Sequence, residues 1–288
     1  MNVVSELRND LGLWRGWAVF EAIEARGAVL FHWGDHYTRL VASCISAHIP
    51  LDNFGLSIEE GEFLKKRVIE EIMLRGYPES LIKILVTRGN SHDHKNPILG
   101  SSKVLIDILP LPLPPQNYFH VEIQEGAREF PHIKLAGGYG STMIRKEIAA
   151  HTGFDDFLYW NVCDGISESS TGNIFFVAEF SGKNILITPA KNILFGVTRK
   201  IILDLAKKSG IFFAIQEHPL QYIKPSMFSC YQECFLTSTT IGVCPVVSVT
   251  TIDNVKYDFK TGKNTFSEKL RNSFLEYREN YFQERASR

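Results

Sequence analysis

The sequence predicts a mixed α/β protein with strands in both halves, arranged as two domains. Three observations lead there. Alternating apolar runs that suit strands occur both early and late in the chain, stretches of helical periodicity are interspersed among them, and a proline-rich segment, "LPLPPQN" at 111–117, interrupts regular structure between the halves. The boundaries this implies are an N-terminal α/β domain over 1–112 and a larger C-terminal domain over 118–288. At 288 residues the chain is long enough to bury two modest cores.

Taken in order, "WAVFEAIEA" (17–25), the Arg26-Gly27 turn and "AVLF" read as a β-hairpin. "GDHYTRLVASCISAH" follows as a helix, with Asp35 as candidate cap and Leu40, Cys44 and Ile45 on one face. Ser57 and Glu60 form a capping box for a second helix, whose apolar stripe is Leu64, Val68, Ile69 and Ile72. "LIKILVTRG" and "KVLIDILPL" are strands. Beyond the linker come a strand near 119–124, a helix near 141–151 and a strand at 156–162. A hairpin then turns at Ser181-Gly182, and "TRKIILDLAKKSG" is a helix that stops at Gly210 with a basic last turn. "ECFLTSTT" and "VCPVVSVTTI" are strands, and a polar-faced helix ends the chain.

The bulk properties exclude several classes. A hydrophobic content of 44% with 22% charged residues is that of an ordinary globular protein. The formal charge of −1 gives no electrostatic reason to expect nucleic acid or an anionic membrane as partner. No stretch approaches the roughly 20 apolar residues of a spanning helix, and the start of the chain lacks the apolar core of a signal peptide. Five cysteines in no metal-binding or disulfide spacing suit buried free thiols in a reducing cytoplasm. "HDH" at 92–94 has no further His or Cys nearby, so a solvated loop or a substrate contact is expected there rather than a metal.

Chemistry concentrates elsewhere. Lys134 stands alone before Gly137, Gly138, Tyr139 and Gly140, and lysine is the side chain whose amine becomes a nucleophile in the right surroundings. Glu168 lies in a hydroxyl-rich stretch just ahead of a β-run. Gly196, Val197 and Thr198 open a helix whose first N–H groups can bind an anion. Thr237, Ser238, Thr239 and Thr240 line up where a strand ends, and Arg39 adds a positive charge. An amine, a carboxylate and several phosphate-holding groups are what pyridoxal 5′-phosphate requires, since the carboxylate keeps the pyridine nitrogen protonated and the phosphate takes N–H groups and an arginine.

On these blocks the chain resembles the class IV aminotransferases, which include D-amino-acid aminotransferases, branched-chain aminotransferases and 4-amino-4-deoxychorismate lyase. "DGISESSTGNIFFV", "NILFGVTRKIILDLA" and "ECFLTSTTIGVCPVV" match family blocks in order and spacing, and the 34 residues from Lys134 to Glu168 are an offset the family uses. The resemblance implies fold type IV, with a small α/β domain, a larger domain with a barrel-like sheet, and pyridoxal phosphate in the cleft between them. It makes Lys134 the Schiff-base lysine and proton shuttle, Glu168 the partner of the pyridine nitrogen, and Tyr139 the match of the tyrosine that contacts the ring oxygen in branched-chain enzymes. It further assigns Arg39, Val197, Thr198 and Thr239 to the phosphate and places Thr240 near the substrate carboxylate.

"VTRGNSHDH" is similar to the loop from which D-amino-acid aminotransferases send an arginine and a histidine into the neighbouring subunit's site. Arg88, His92 and His94 are therefore substrate candidates, with a plain exposed loop as the alternative. Arg15 could clamp a carboxylate or stay on the surface. The expectation is a homodimeric cytoplasmic aminotransferase with shared sites that favours D-amino acids. The alternatives are branched-chain L-amino acids, the lyase that releases pyruvate and 4-aminobenzoate, and a degenerate, non-catalytic member that only binds the cofactor.

Overall fold

The computed structural model describes residues 8–51, 61–113, 118–218 and 223–286, and the chain divides into two compact units. Of the described residues, the first unit takes those up to Leu113, Ile133–Ser141 and those from Tyr281 on; the second takes the remainder. Two segments from beyond the expected boundary at 112–118 thus group with the first unit. The backbone around Lys134 is bonded to a strand of that unit, and Tyr281 packs on its His32.

The first unit opens with a short helix that the sequence reading does not anticipate, α1 (Leu11–Arg15), capped by buried Asp10 and ended by Gly16 in the left-handed region. Strand β1 (Ala18–Arg26) pairs antiparallel with β2 (Val29–Leu30) on one edge and β3 (Glu79–Thr87) on the other; β4 (Lys103–Pro110) completes the order β2-β1-β3-β4. Alternation turns Val19, Ile23 and Ala25 to the core, where they meet Leu40 and Cys44 of α2 (Trp33–Ser46) and Leu64, Val68 and Ile72 of α3 (Gly61–Arg75). Asp35 is not the cap of α2. The helix starts earlier, at left-handed His32; the His32 N–H donates to the Tyr281 hydroxyl, and Asp35 accepts from the His32 ring within the first turn. The Ser57–Glu60 capping box lies outside the described residues.

The second unit is built on a nine-stranded sheet. Its strands are β5 (Phe119–Glu125), β6 (Asp156–Asn161), β7 (Gly165–Ser169), β8 (Asn173–Phe180), β9 (Lys183–Pro189), β10 (Ala214–His218), β11 (Tyr231–Ser238), β12 (Gly242–Thr250) and β13 (Lys256–Asp258). Six of them close a ring in the order β8-β11-β12-β5-β6-β7, because the start of β8 also pairs with β7 at Asn173 and Glu168. The remaining length of β8 takes β9 on that same edge, so one strand serves both the barrel and its extension. Ile123, Leu158, Ile166, Ile174, Phe176, Leu236 and Val246 belong to its core. Strand β7 is buried along its whole length but reads Gly-Ile-Ser-Glu-Ser, so it shows no apolar alternation in the sequence.

The helix expected from 141 begins at Ala136 instead and runs to His151 as α4, which puts the glycines after Lys134 inside its first turns. Gly137 is there for close approach: its N–H donates to the Gly16 carbonyl, and a Cβ would sit 2.9 Å from that same oxygen. The helix α5 (Val197–Ser209) ends at Gly210 as expected, and α6 (Phe266–Ala286) closes the chain. Among the described residues, no helix is long and apolar enough to cross a membrane.

Candidate active site

The candidate residues fall into two groups, one in each unit. In the first unit, Lys134 is held through its backbone. Its carbonyl accepts the Phe20 N–H at 3.0 Å, Leu135 bridges Val19, and its own N–H donates to Ser43 Oγ of α2. The side chain is 9% exposed. Its Nζ donates to the Tyr139 hydroxyl at 3.2 Å and lies 4.6 Å from the Phe20 ring centroid and 5.0 Å from that of Tyr139. The two rings meet edge to face, so the amine is bounded by aromatic surface and the Tyr139 phenol, an arrangement that fixes its direction. The helical start of α4 is what brings Tyr139 back to the amine.

Arg39 projects from α2 towards β1, where Glu21 occupies a core-facing position in register with Val19 and Ile23. The guanidinium grips that carboxylate twice, Nε to Oε1 and Nη2 to Oε2, both at 2.7 Å. His36, one helical turn earlier, reaches the same carboxylate through Nδ1 at 2.8 Å. Burial pushes the Glu21 carboxyl up, but the Arg39 charge and the hydrogen bonds from Arg39 and His36 outweigh it and hold it at about 2. Burial pushes the His36 imidazole down, against the pull of Glu21. A carboxylate only accepts, so neutral His36 donates to it from Nδ1.

Arg15, Arg88 and His94 belong to the first unit as well. Exposed Arg15, the last residue of α1, donates from Nε to the His94 carbonyl at 2.8 Å, and the His94 ring lies against Trp14. Arg88 is buried with its guanidinium 5.6 Å from the Trp17 ring centroid, and His92 is exposed. Arg15 and His94 are thus brought together by a backbone contact, whereas Arg88 packs separately.

In the second unit Asn173 is the hub. It pairs with Glu168 of β7 on one side and with Thr237 of β11 on the other, and its amide donates to the Leu194 carbonyl at 2.8 Å. A Cβ on Gly196 would collide with its amide oxygen, so only glycine lets the entry of α5 approach so closely. Glu168 is 2% exposed; its Oε2 accepts the Leu194 N–H at 3.1 Å, and its Oε1 faces Arg128 Nε at 3.4 Å. Arg128 also donates to the carbonyls of Ser169 and Ser170. Gly196 caps α5 without a side-chain bond, and Val197 and Thr198 are buried in its first turn. Thr239 and Thr240 form the half-buried turn after β11.

Residues 18–249 match the sequence profile of the family described as amino-transferase class IV. The chain belongs to that family. This class IV aminotransferase is 28% identical over 255 residues to a Rickettsia bellii protein named "Probable branched-chain-amino-acid aminotransferase", covering 85% of this chain and 82% of that one. Among solved structures, a Legionella pneumophila protein named provisionally as a 4-amino-4-deoxychorismate lyase superposes with a TM-score of 0.79 at 20% identity, covering 93% of both chains. The pyridoxal-phosphate form of a branched-chain aminotransferase from Thermobaculum terrenum superposes with a TM-score of 0.76 at 22% identity, covering 94% of this chain and 87% of that one. The fold is that of fold type IV aminotransferases.

The aminotransferase's own residues fit pyridoxal phosphate. Thr237 Oγ1 and Ser238 Oγ are buried without a hydrogen-bond partner among the described residues, at the strand end that Asn173 ties to the entry of α5. The first N–H groups of a helix have no intrahelical acceptor and attract anions. Sequence reasoning missed Phe20, Glu21, His36, Arg128 and Asn173. Glu21 alone left a usable trace, a carboxylate at an inward position of an alternating strand.

Proposed function

We propose that this chain is a pyridoxal-phosphate-dependent aminotransferase acting on branched-chain L-amino acids, with a 2-oxo acid as amino acceptor. The observation that carries this reading is the relationship to the Rickettsia bellii protein along more than four-fifths of both chains. It favours the branched-chain alternative over the D-amino-acid donor expected from the sequence. The phenol of Tyr139 on the Lys134 amine supports it too, because the resemblance assigns that tyrosine to branched-chain enzymes.

When bound, pyridoxal phosphate supplies an aldehyde and a ring that withdraws electrons from the amino acid's Cα. Lys134 Nζ would hold the cofactor's aldehyde carbon and would carry the proton at the substrate Cα. Tyr139 directs that amine and offers its hydroxyl to the ring oxygen. Glu168, with Leu194 N–H on one oxygen and Arg128 beside the other, keeps a proton on the pyridine nitrogen. Val197 and Thr198 would offer backbone and hydroxyl groups to the phosphate, as would Thr239, with Arg39 adding charge, and Thr240 is the candidate for the substrate carboxylate. Arg15 is a candidate carboxylate contact and His94 a candidate for reaching a neighbouring copy's site in a homodimer, whereas buried Arg88, packed on Trp17, would need to be released to do either. The five free cysteines suit a cytoplasmic enzyme.

The test is an absorption scan of the cofactor-loaded protein with L-leucine, L-isoleucine, L-valine and D-alanine in turn. Conversion of the lysine-bound band to the aminated cofactor by the L-amino acids is the expected result. Conversion by D-alanine alone would restore the D-amino-acid reading. Pyruvate released from aminodeoxychorismate would make the chain a lyase, and a band unmoved by every donor would leave only cofactor binding.

A further inference from the structure

Glu21 is a costly residue for its place. It faces the same core as Val19 and Ile23, is fully buried, and gains nothing as an apolar filler. A core ion pair can often be replaced by apolar side chains without loss of stability, so stability alone is a weak account of it. What the pair does supply is direction. Guanidinium and carboxylate meet as a two-pronged fork, which leaves a single orientation for the planar group, and a single-pronged contact would let it swing.

The helix α2 shows the same arrangement along one stripe. His36, Arg39 and Ser43 fall at i, i+3 and i+7; the first two end on Glu21, and the third accepts the Lys134 N–H. His36 meets Oε2, the oxygen that Arg39 Nη2 also holds, while Arg39 Nε takes Oε1, so Glu21 is clamped before it clamps. Strand β1 also carries Phe20, which bounds the Lys134 amine and whose N–H bonds the Lys134 carbonyl. Adjacent residues of one strand therefore set the amine and the arginine.

We infer that Glu21 is a positioning residue that fixes the Arg39 guanidinium for the cofactor's phosphate, with His36 as its strut. The inference rests on the proposed phosphate role of Arg39. Glu21 touches neither the cofactor nor the reacting atoms; it acts through Arg39. A neutral amide in its place brings N–H groups against the donors of Arg39 and releases the fork.

The experiment measures equilibrium binding of pyridoxal phosphate and of pyridoxal, which lacks the phosphate, to the full-length apo-protein by the absorption of the lysine-bound form. It compares the parent, Glu21→Gln, Glu21→Asp and Arg39→Ala. Glu21→Gln should weaken pyridoxal phosphate by about tenfold or more while leaving pyridoxal unchanged, as expected for loss of a charge-assisted fork. Glu21→Asp should recover part of that loss, and it carries the test if Glu21→Gln does not fold. A lowered melting temperature with an unchanged affinity ratio for the two ligands would reduce Glu21 to a structural ion pair and overturn the inference. An unchanged ratio in Arg39→Ala would remove the phosphate role of Arg39, and the inference with it, while the Lys134 reading stands. Failure of the parent to form a lysine-bound band with either ligand would instead sink the proposed function.

Discussion

Single residues carry the chemistry, and their environments predict different failures. If Lys134 has the proposed role, Lys134→Ala removes both the tether and the proton carrier, so transamination should fall by about 10²–10⁴ or more and the visible band of the bound cofactor should vanish. Arg128→Ala should fail differently. It leaves Glu168 buried beside an empty space, and stripping one partner from a buried pair costs about 3–5 kcal/mol, readable as a lower urea midpoint even without cofactor. Lys134 and Glu168 stand out in the sequence as candidates because each is an isolated chemical group next to glycines or hydroxyls. Arg128, ahead of "EFPHIK", has no such mark, since its role comes from carbonyls about 40 residues further on.

At the scale of elements, periodicity was legible wherever one face meets a core and the other meets water. Strand β1, the hairpin of β8 and β9, and α5 with its glycine stop follow the pattern of their residues. Among the features that were not legible, two show why. Strand β7 is polar and buried on both faces by barrel closure, a long-range event. The early start of α4 hides behind glycines, whose local preference for turns is overridden by contact with Gly16. Those glycines should respond in opposite directions. Gly137→Ala drives a Cβ into the Gly16 backbone and should cost about 1–3 kcal/mol. Gly140→Ala points into open space and should gain up to about 1 kcal/mol from helix propensity alone. Paired thermal melts check both.

For the whole molecule, the buried ionisable groups define a window of pH. The folded-state value of His36 lies below its ordinary 6.5, so the unfolded chain binds more protons beneath that point. Its contribution is present above about 6.5 and fades as pH falls. Glu21, held at about 2 against an ordinary 4.5, contributes above 4.5 and loses its share between 4.5 and 2. On the alkaline side, burial pushes the Cys44 and Cys244 thiols up to about 12, so their contribution is lost as pH rises past 9. Urea midpoints from pH 3 to 10 should therefore show a plateau between roughly 6.5 and 9 with a two-stage acid decline. His36→Asn should remove the first stage. The order of the units along the chain has its own consequence. The first unit needs Ile133–Ser141 as well as its own stretch up to Leu113, since β1 takes a backbone partner at Leu135 and Gly16 takes one at Gly137. It is not a contiguous module. A genetic crossover between 113 and 133 would graft a foreign edge and a foreign lysine onto β1, so exchanging domains between relatives at the proline-rich junction should yield chimaeras that misassemble unless the short lysine segment travels with the first half.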